Sequence, residues 1–77
     1  MNLMNISVTA LGNIKQFIPE AKEIALERAV SLDELKVIAG IPQEKTVSYA
    51  VNGRVQKGEY QVADNDQVKF IMVVGAG

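Results

Sequence analysis

Residues Ser31 to Pro42 encode a helix stopped at both ends, and this limits the fold more than any other feature of the chain. Ser31-Leu32-Asp33-Glu34 is a capping-box pattern. The Ser31 hydroxyl can accept from the Glu34 backbone N–H, and the Glu34 carboxylate can reach back to the backbone N–H of Ser31. Leu32, Leu35, Ile38 and Ala39 then share one helical face. Gly40 offers the left-handed position that closes a helix, Ile41 can make the closing apolar contact, and Pro42 prevents continuation. The pattern predicts a helix over residues 32–39. Other elements must cover so short a helix, and the segments around it read mostly as strands.

Met4, Ile6, Val8 and Ala10 alternate with Asn5, Ser7 and Thr9, the period of a half-buried strand. Gly12-Asn13 breaks it. The stretch 14–30 stays open on its own residues. Glu20 to Ala29 consists of strong helix formers, which argues for a helix. Ile24 and Leu26, alternating with Glu23, Ala25 and Glu27, equally permit a strand. Thr46 to Val51 is β-branched and aromatic, and Asn52-Gly53 after it signals a hairpin, because both residues tolerate positive φ. Arg54-Val55 begins the return strand, Lys57-Gly58-Glu59 reads as a loop, and Tyr60 and Val62 are core candidates. Asp64-Asn65-Asp66 is a turn. Gln67 to Val74 is the final strand, and its continuously apolar part, Phe70 to Val74, suits a position in mid-sheet. On an edge the same run would invite aggregation. Gly75-Ala76-Gly77 follows, a thin segment with almost no side chains.

Composition removes several function classes. At 77 residues there is room for one domain. Cysteine and histidine are both absent, which excludes disulfides, thiolate chemistry and histidine-dependent triads and leaves no ordinary zinc ligand set. A net charge of −1, with acids and bases mixed, gives no basic stripe for a phosphate backbone, so no nucleic-acid partner is expected. The first residues, Met1-Asn2-Leu3-Met4-Asn5, carry no basic region, and no run approaches the roughly 20 apolar residues of a membrane span. A soluble cytoplasmic protein with no metal site is the expectation. Asp64 and Asp66 could be paired carboxylates for acid–base work, but in a turn they read as acceptors for backbone N–H groups. Ser31 and Glu34 read as a cap, and Arg54, Lys57 and Lys69 as solvated charges available to a partner. No phosphate-cradling glycine loop is present, so an enzyme in its own right is not expected.

The order of these elements resembles the ThiS/MoaD family of ubiquitin-like sulfur carriers. The residues that carry the resemblance are Val51-Asn52-Gly53, Asp64-Asn65-Asp66-Gln67-Val68 and the terminal segment. Asn65 stands where the family pattern has glycine, a mild departure because Asn also enters the left-handed region. The resemblance implies an α+β fold of the β-grasp type: a mixed sheet of four to five strands on one short α-helix. It implies that Glu23–Glu27 is a strand, against propensity, and that the last strand is central and parallel to the first. It divides the chain into a domain, residues 1–74, and a carrier tail, residues 75–77.

The resemblance also implies the chemistry. The Gly77 carboxylate would be adenylated by an activating enzyme of the ubiquitin-activating type, which uses ATP and Mg, while this chain binds no cofactor itself. A sulfur donor would then displace AMP to leave a thiocarboxylate, and the sulfur would pass to an acceptor synthase subunit. Gly75 and Ala76 would thread into the partner. The long segment between the first strand and the helix resembles molybdopterin synthase small subunits more than thiamin carriers. Ala76 departs from the family's Gly-Gly ending. If the partner's channel demands positive φ there, the methyl costs about 1–2 kcal/mol. Ala76 also motivates a second reading, a β-grasp interaction module whose tail is never activated.

Overall fold

A computed structural model of the chain describes residues 3–72. Strand β1 (Met4–Leu11) leads into a 3₁₀ turn at Gly12–Gln16, then β2 (Lys22–Leu26), helix α1 (Leu32–Ala39), β3 (Val47–Val51), β4 (Arg54–Gln56) and β5 (Gln67–Met72). The strands form a five-stranded sheet in the order β2-β1-β5-β3-β4. β5 pairs parallel to β1 and antiparallel to β3, with Val8 opposite Val68 and Tyr49 opposite Phe70. The mixed sheet around one helix, with the last strand central and parallel to the first, is the architecture the sequence led us to expect.

Local signals explain the elements that match best. α1 covers residues 32–39 as predicted, and Ser31 Oγ accepts from the Glu34 N–H at 3.1 Å. The reciprocal half of the box is replaced: Glu34 faces Arg28 at 3.9 Å. Gly40 adopts φ +113°, with its N–H on Val37 O and the Ile41 N–H on Lys36 O, a complete Schellman closure. Asn52 (φ 52°) and Gly53 (φ 86°) make the two positive-φ positions of the hairpin turn between β3 and β4. Asn65 sits at φ 70°, the left-handed residue the turn needs.

The core lies between α1 and one face of the sheet. Ile6, Val8 and Ala10 of β1, Tyr49 and Val51 of β3, and Val68 and Phe70 of β5 all point inward. Phe70 is fully buried and meets Tyr49 edge-on, with ring centroids 5.9 Å apart. Gln67 and Lys69 point outward, which settles the parity of the last strand.

Four expectations need correction or narrowing. The second strand runs Lys22–Leu26, one residue earlier than expected, because Lys22 to Leu26 pair with Val8 to Met4. Ile38 is not on the buried face; it is 48% exposed, and Lys36 is buried in its place. The chain beyond Pro42 turns back along that flank, and the Lys36 ammonium donates to the carbonyls of Gln43 (3.1 Å) and Lys45 (2.6 Å). These two acceptors satisfy the charge that burial would otherwise leave unpaired. Gly12-Asn13 opens a 3₁₀ turn that buries Ile14, and Ile18 is buried just beyond it, so this segment adds to the core. The expected end of the last strand, Val73 and Val74, lies outside the described residues; within them Ile71 and Met72 are only half-buried.

Candidate functional site

The residues singled out for chemistry, Gly75, Ala76 and Gly77, lie outside the described residues. The strand that precedes them is described up to Met72. β5 is held on both sides up to its last residues: Ile71 lies opposite Leu11 of β1, and Met72 lies opposite Val47 of β3. Gly12 crosses close to this end of the strand at φ +82°, where an added Cβ would come within 3.3 Å of the Met72 Cβ. Any other residue at position 12 would meet both a disfavoured backbone region and a crowded neighbour. The central strand β5 is thus paired or packed to the last described residue, Met72.

On the sheet face away from α1, register places Leu11, Ile71 and Ser48 in one row and Thr9, Lys69, Ala50 and Val55 in the next. Leu11 (46% exposed) and Val55 (83% exposed) are large apolar side chains in solvent, and Ile71 is half-buried between its neighbours. Small and apolar groups thus cluster around one cation, Lys69, next to the end of β5. Of the three candidate contact cations, only Lys69 is on β5. Arg54 sits on edge strand β4 opposite Val51, level with Val68 at the start of β5, and Lys57 follows β4.

The Asp-x-Asp turn occupies the opposite end of β5. Asp66 is buried and accepts from the Ala63 N–H (2.8 Å), the Asn52 amide (2.9 Å) and the Tyr60 hydroxyl (3.2 Å). The Asn52 side-chain oxygen accepts from the Gln67 N–H at 2.9 Å, and the Asn52 N–H donates to Gln67 O at 2.8 Å. Asp64 Oδ1 accepts from the Asn5 N–H at 2.8 Å. These carboxylates tie the hairpin, the turn and two strand starts together, and their acceptor positions serve structure, as expected. The Tyr60 phenol is raised above its ordinary pKa, first by burial and then by the charge and hydrogen bond of Asp66.

A second tyrosine locks α1 to the sheet. The Tyr49 hydroxyl donates to Asp33 Oδ1 at 2.6 Å, and burial, followed by that hydrogen bond and the carboxylate charge, raises its pKa strongly. The Leu32 and Asp33 N–H groups donate to Tyr60 O and Gly58 O, so the loop after β4 satisfies the first turn of the helix. Among the described residues no group of three His, Cys, Asp or Glu side chains could hold a metal, and no helix is long and apolar enough to cross a membrane.

Sequence reasoning missed the surroundings of Leu11. A groove there is floored by Ala10 and Ile18 and flanked by Lys15 and Lys69. The available signal was Leu11 itself, a large apolar residue that ends the β1 alternation on the outward side just before Gly12.

Comparison with known proteins agrees with this architecture. The family model described as the ThiS family matches residues 8–77. Among curated proteins none matches this sequence. Solved structures similar in fold include a Pyrococcus furiosus protein assigned as molybdopterin converting factor, subunit 1, at 20% identity and a TM-score of 0.74, covering 92% of this chain and 99% of that one. SAMP1 from Haloferax volcanii aligns at 8% identity and a TM-score of 0.69, covering 95% and 99%. The UBL domain of Plasmodium falciparum Dsk2 aligns at 20% identity and a TM-score of 0.64, covering 94% and 100%. All three share the ubiquitin-like β-grasp fold.

Proposed function

This chain belongs to the ThiS family, and from that membership we propose that it is a cytoplasmic sulfur carrier, a protein co-substrate rather than a catalyst, whose reactive group is the Gly77 carboxylate. The family match reaches residue 77, and that observation carries the reading. An α-carboxyl with a pKa of about 3.3–3.7 is ionised at neutral pH. It is nucleophilic, but its oxygen leaves poorly. Attack on the α-phosphate of ATP, bound with Mg by the activating partner, forms a carboxyl–phosphate anhydride and releases pyrophosphate. A sulfur donor then displaces AMP, and the thiocarboxylate delivers sulfur in an acceptor synthase subunit.

The roles within this chain divide accordingly. Gly75 and Ala76 thread toward the partner's nucleotide, and Gly77 carries the group. The central β5 gives the tail a fixed origin. Leu11, Ile71 and Lys69 around that origin suit docking of the activating enzyme or the acceptor subunit. We favour molybdopterin or tungstopterin synthesis over thiamin synthesis, in keeping with the long 12–31 segment before α1 and the name of the Pyrococcus furiosus neighbour.

Incubation with ATP, a sulfur source and a cognate activating enzyme, followed by intact mass measurement, tests the reading. Exchange of oxygen for sulfur adds about 16 Da to the chain. An unchanged mass with enzymes from each candidate pathway refutes it. Ala76 favours a second reading, an interaction module whose tail is never activated; removal of residues 75–77 would then leave partner binding intact.

A further inference from the structure

β1 is longer than the strand that covers it. It runs from Met4 to Leu11, but β2 pairs only with Met4 to Val8. Before Lys22, the residues Pro19, Glu20 and Ala21 pair with no strand and line a hollow together with Thr9, Ala10 and Leu11. Thr9, Ala10 and Leu11 pair with β5 on one side and with no strand on the other. The groove noted above lies along this half-open edge. Two smaller hollows that share Ser7 and Ala21 extend it along the outer side of β1.

An unpaired strand edge over an apolar floor fits extended backbone, which can add to the sheet by main-chain hydrogen bonds. Charge selects what kind of segment. Lys15 and Lys69 are exposed at the Leu11 end and have no ion-pair partner among the described residues, where the one ion pair is Arg28–Glu34. Glu20 alone opposes them in the groove. Farther along the same edge β2 presents Lys22 and Glu23, so the net excess of positive charge lies at the Leu11 end.

We infer that the half-open β1 edge at Thr9–Leu11, with Lys15 and Lys69 beside it, receives an extended acidic segment of the activating partner. This rests on the carrier function proposed above. The segment would lie beside the point where β5 releases the tail, because Leu11 is the β1 residue opposite Ile71. Docking there would fix the direction in which Gly75–Gly77 leave the domain. Nucleic acid fits poorly, since two lysines and a nearby glutamate neutralise little of a phosphate backbone.

The test uses the full chain, its activating enzyme and ATP, with three readouts: thiocarboxylate mass at saturating enzyme, KM and kcat for the carrier, and amide hydrogen exchange at Ala10. The Lys15→Glu/Lys69→Glu double variant is expected to raise KM about tenfold with kcat unchanged, the effect shrinking at high salt. Glu20→Lys should lower KM. Should the charge reversals unfold the domain, the Lys15→Gln/Lys69→Gln pair should still raise KM, by a smaller factor. The Ala10 amide, which faces away from β5, should exchange more slowly in the complex. The inference is overturned if the wild type gains sulfur but KM ignores these charges, or if no slowing occurs. Slowing already present in the free protein and lost on removing residues 75–77 would assign the edge to the chain's own tail. Slowing that grows with carrier concentration alone would assign it to a second copy, and either result overturns the inference. A wild type that never gains sulfur refutes the carrier function itself, a separate result.

Discussion

Tyr49→Phe removes one oxygen and leaves the ring, its burial and its edge contact with Phe70 in place. The lost interaction is the 2.6 Å hydrogen bond to Asp33 Oδ1. Bonds to charged acceptors contribute about 1.5–3 kcal/mol. Asp33 is exposed and can rehydrate, so the lower figure applies and the variant should be about 1.5 kcal/mol less stable at pH 7. Alkaline pH removes the difference. The folded-state pKa of Tyr49 is raised, so its contribution is complete below the unfolded value of about 10 and is lost as pH rises through the folded value. At pH 11 the unfolded chain has released a proton that the native state retains, which removes about 1.4 kcal/mol from the wild type. Phenylalanine has nothing to titrate. The gap between wild type and variant should therefore shrink from about 1.5 kcal/mol at pH 7 to near zero at pH 11. Urea unfolding at both pH values measures it, and other titrating groups cancel in the difference. A gap that is the same at pH 7 and pH 11 would refute the burial argument for Tyr49.

Further outcomes follow from the same contacts. Asp66→Ala leaves the donors of Asn52, Tyr60 and Ala63 without their acceptor and should cost about 3 kcal/mol in urea unfolding, since each buried unpaired group costs about 1–3. Leu35→Ala should cost about 2–5 kcal/mol, whereas Ile38→Gln should stay within about 0.5, which checks by denaturation which flank of α1 is buried. Ala76→Gly should speed adenylation up to about tenfold if the partner's channel requires positive φ, measured as AMP release; an unchanged rate would mean the channel accepts the methyl.

The boundary between what the sequence disclosed and what it hid follows the range of the interactions. The ends of α1 were legible because Ser31 and Gly40 act within one turn. The hairpin was legible because Asn52 and Gly53 are suited to the backbone angles they adopt. β2 was not legible from its residues, since Glu, Ala, Lys and Leu favour helix; pairing with Met4 to Val8 overrides that preference, and only the family resemblance pointed to it. Ile38 was assigned to the core and the burial of Lys36 was missed because the carbonyls that bury Lys36 arrive from Gln43 and Lys45, beyond the helix. The charged groove at Leu11 was hidden for a similar reason, as Lys15 and Lys69 are far apart in the chain and come to line one groove through the β1–β5 pairing. The tail residues were chosen from sequence and family pattern, and they lie outside the described residues.

The most direct measurement locates the sulfur. After reaction with the activating enzyme, ATP and a sulfur donor, fragment mass spectra should place a gain of about 16 Da on Gly77 alone, and a chain lacking Gly77 should remain folded and unmodified. Sulfur at any other residue, or equal modification of the truncated chain, would contradict the assignment of Gly77 as the carrier group.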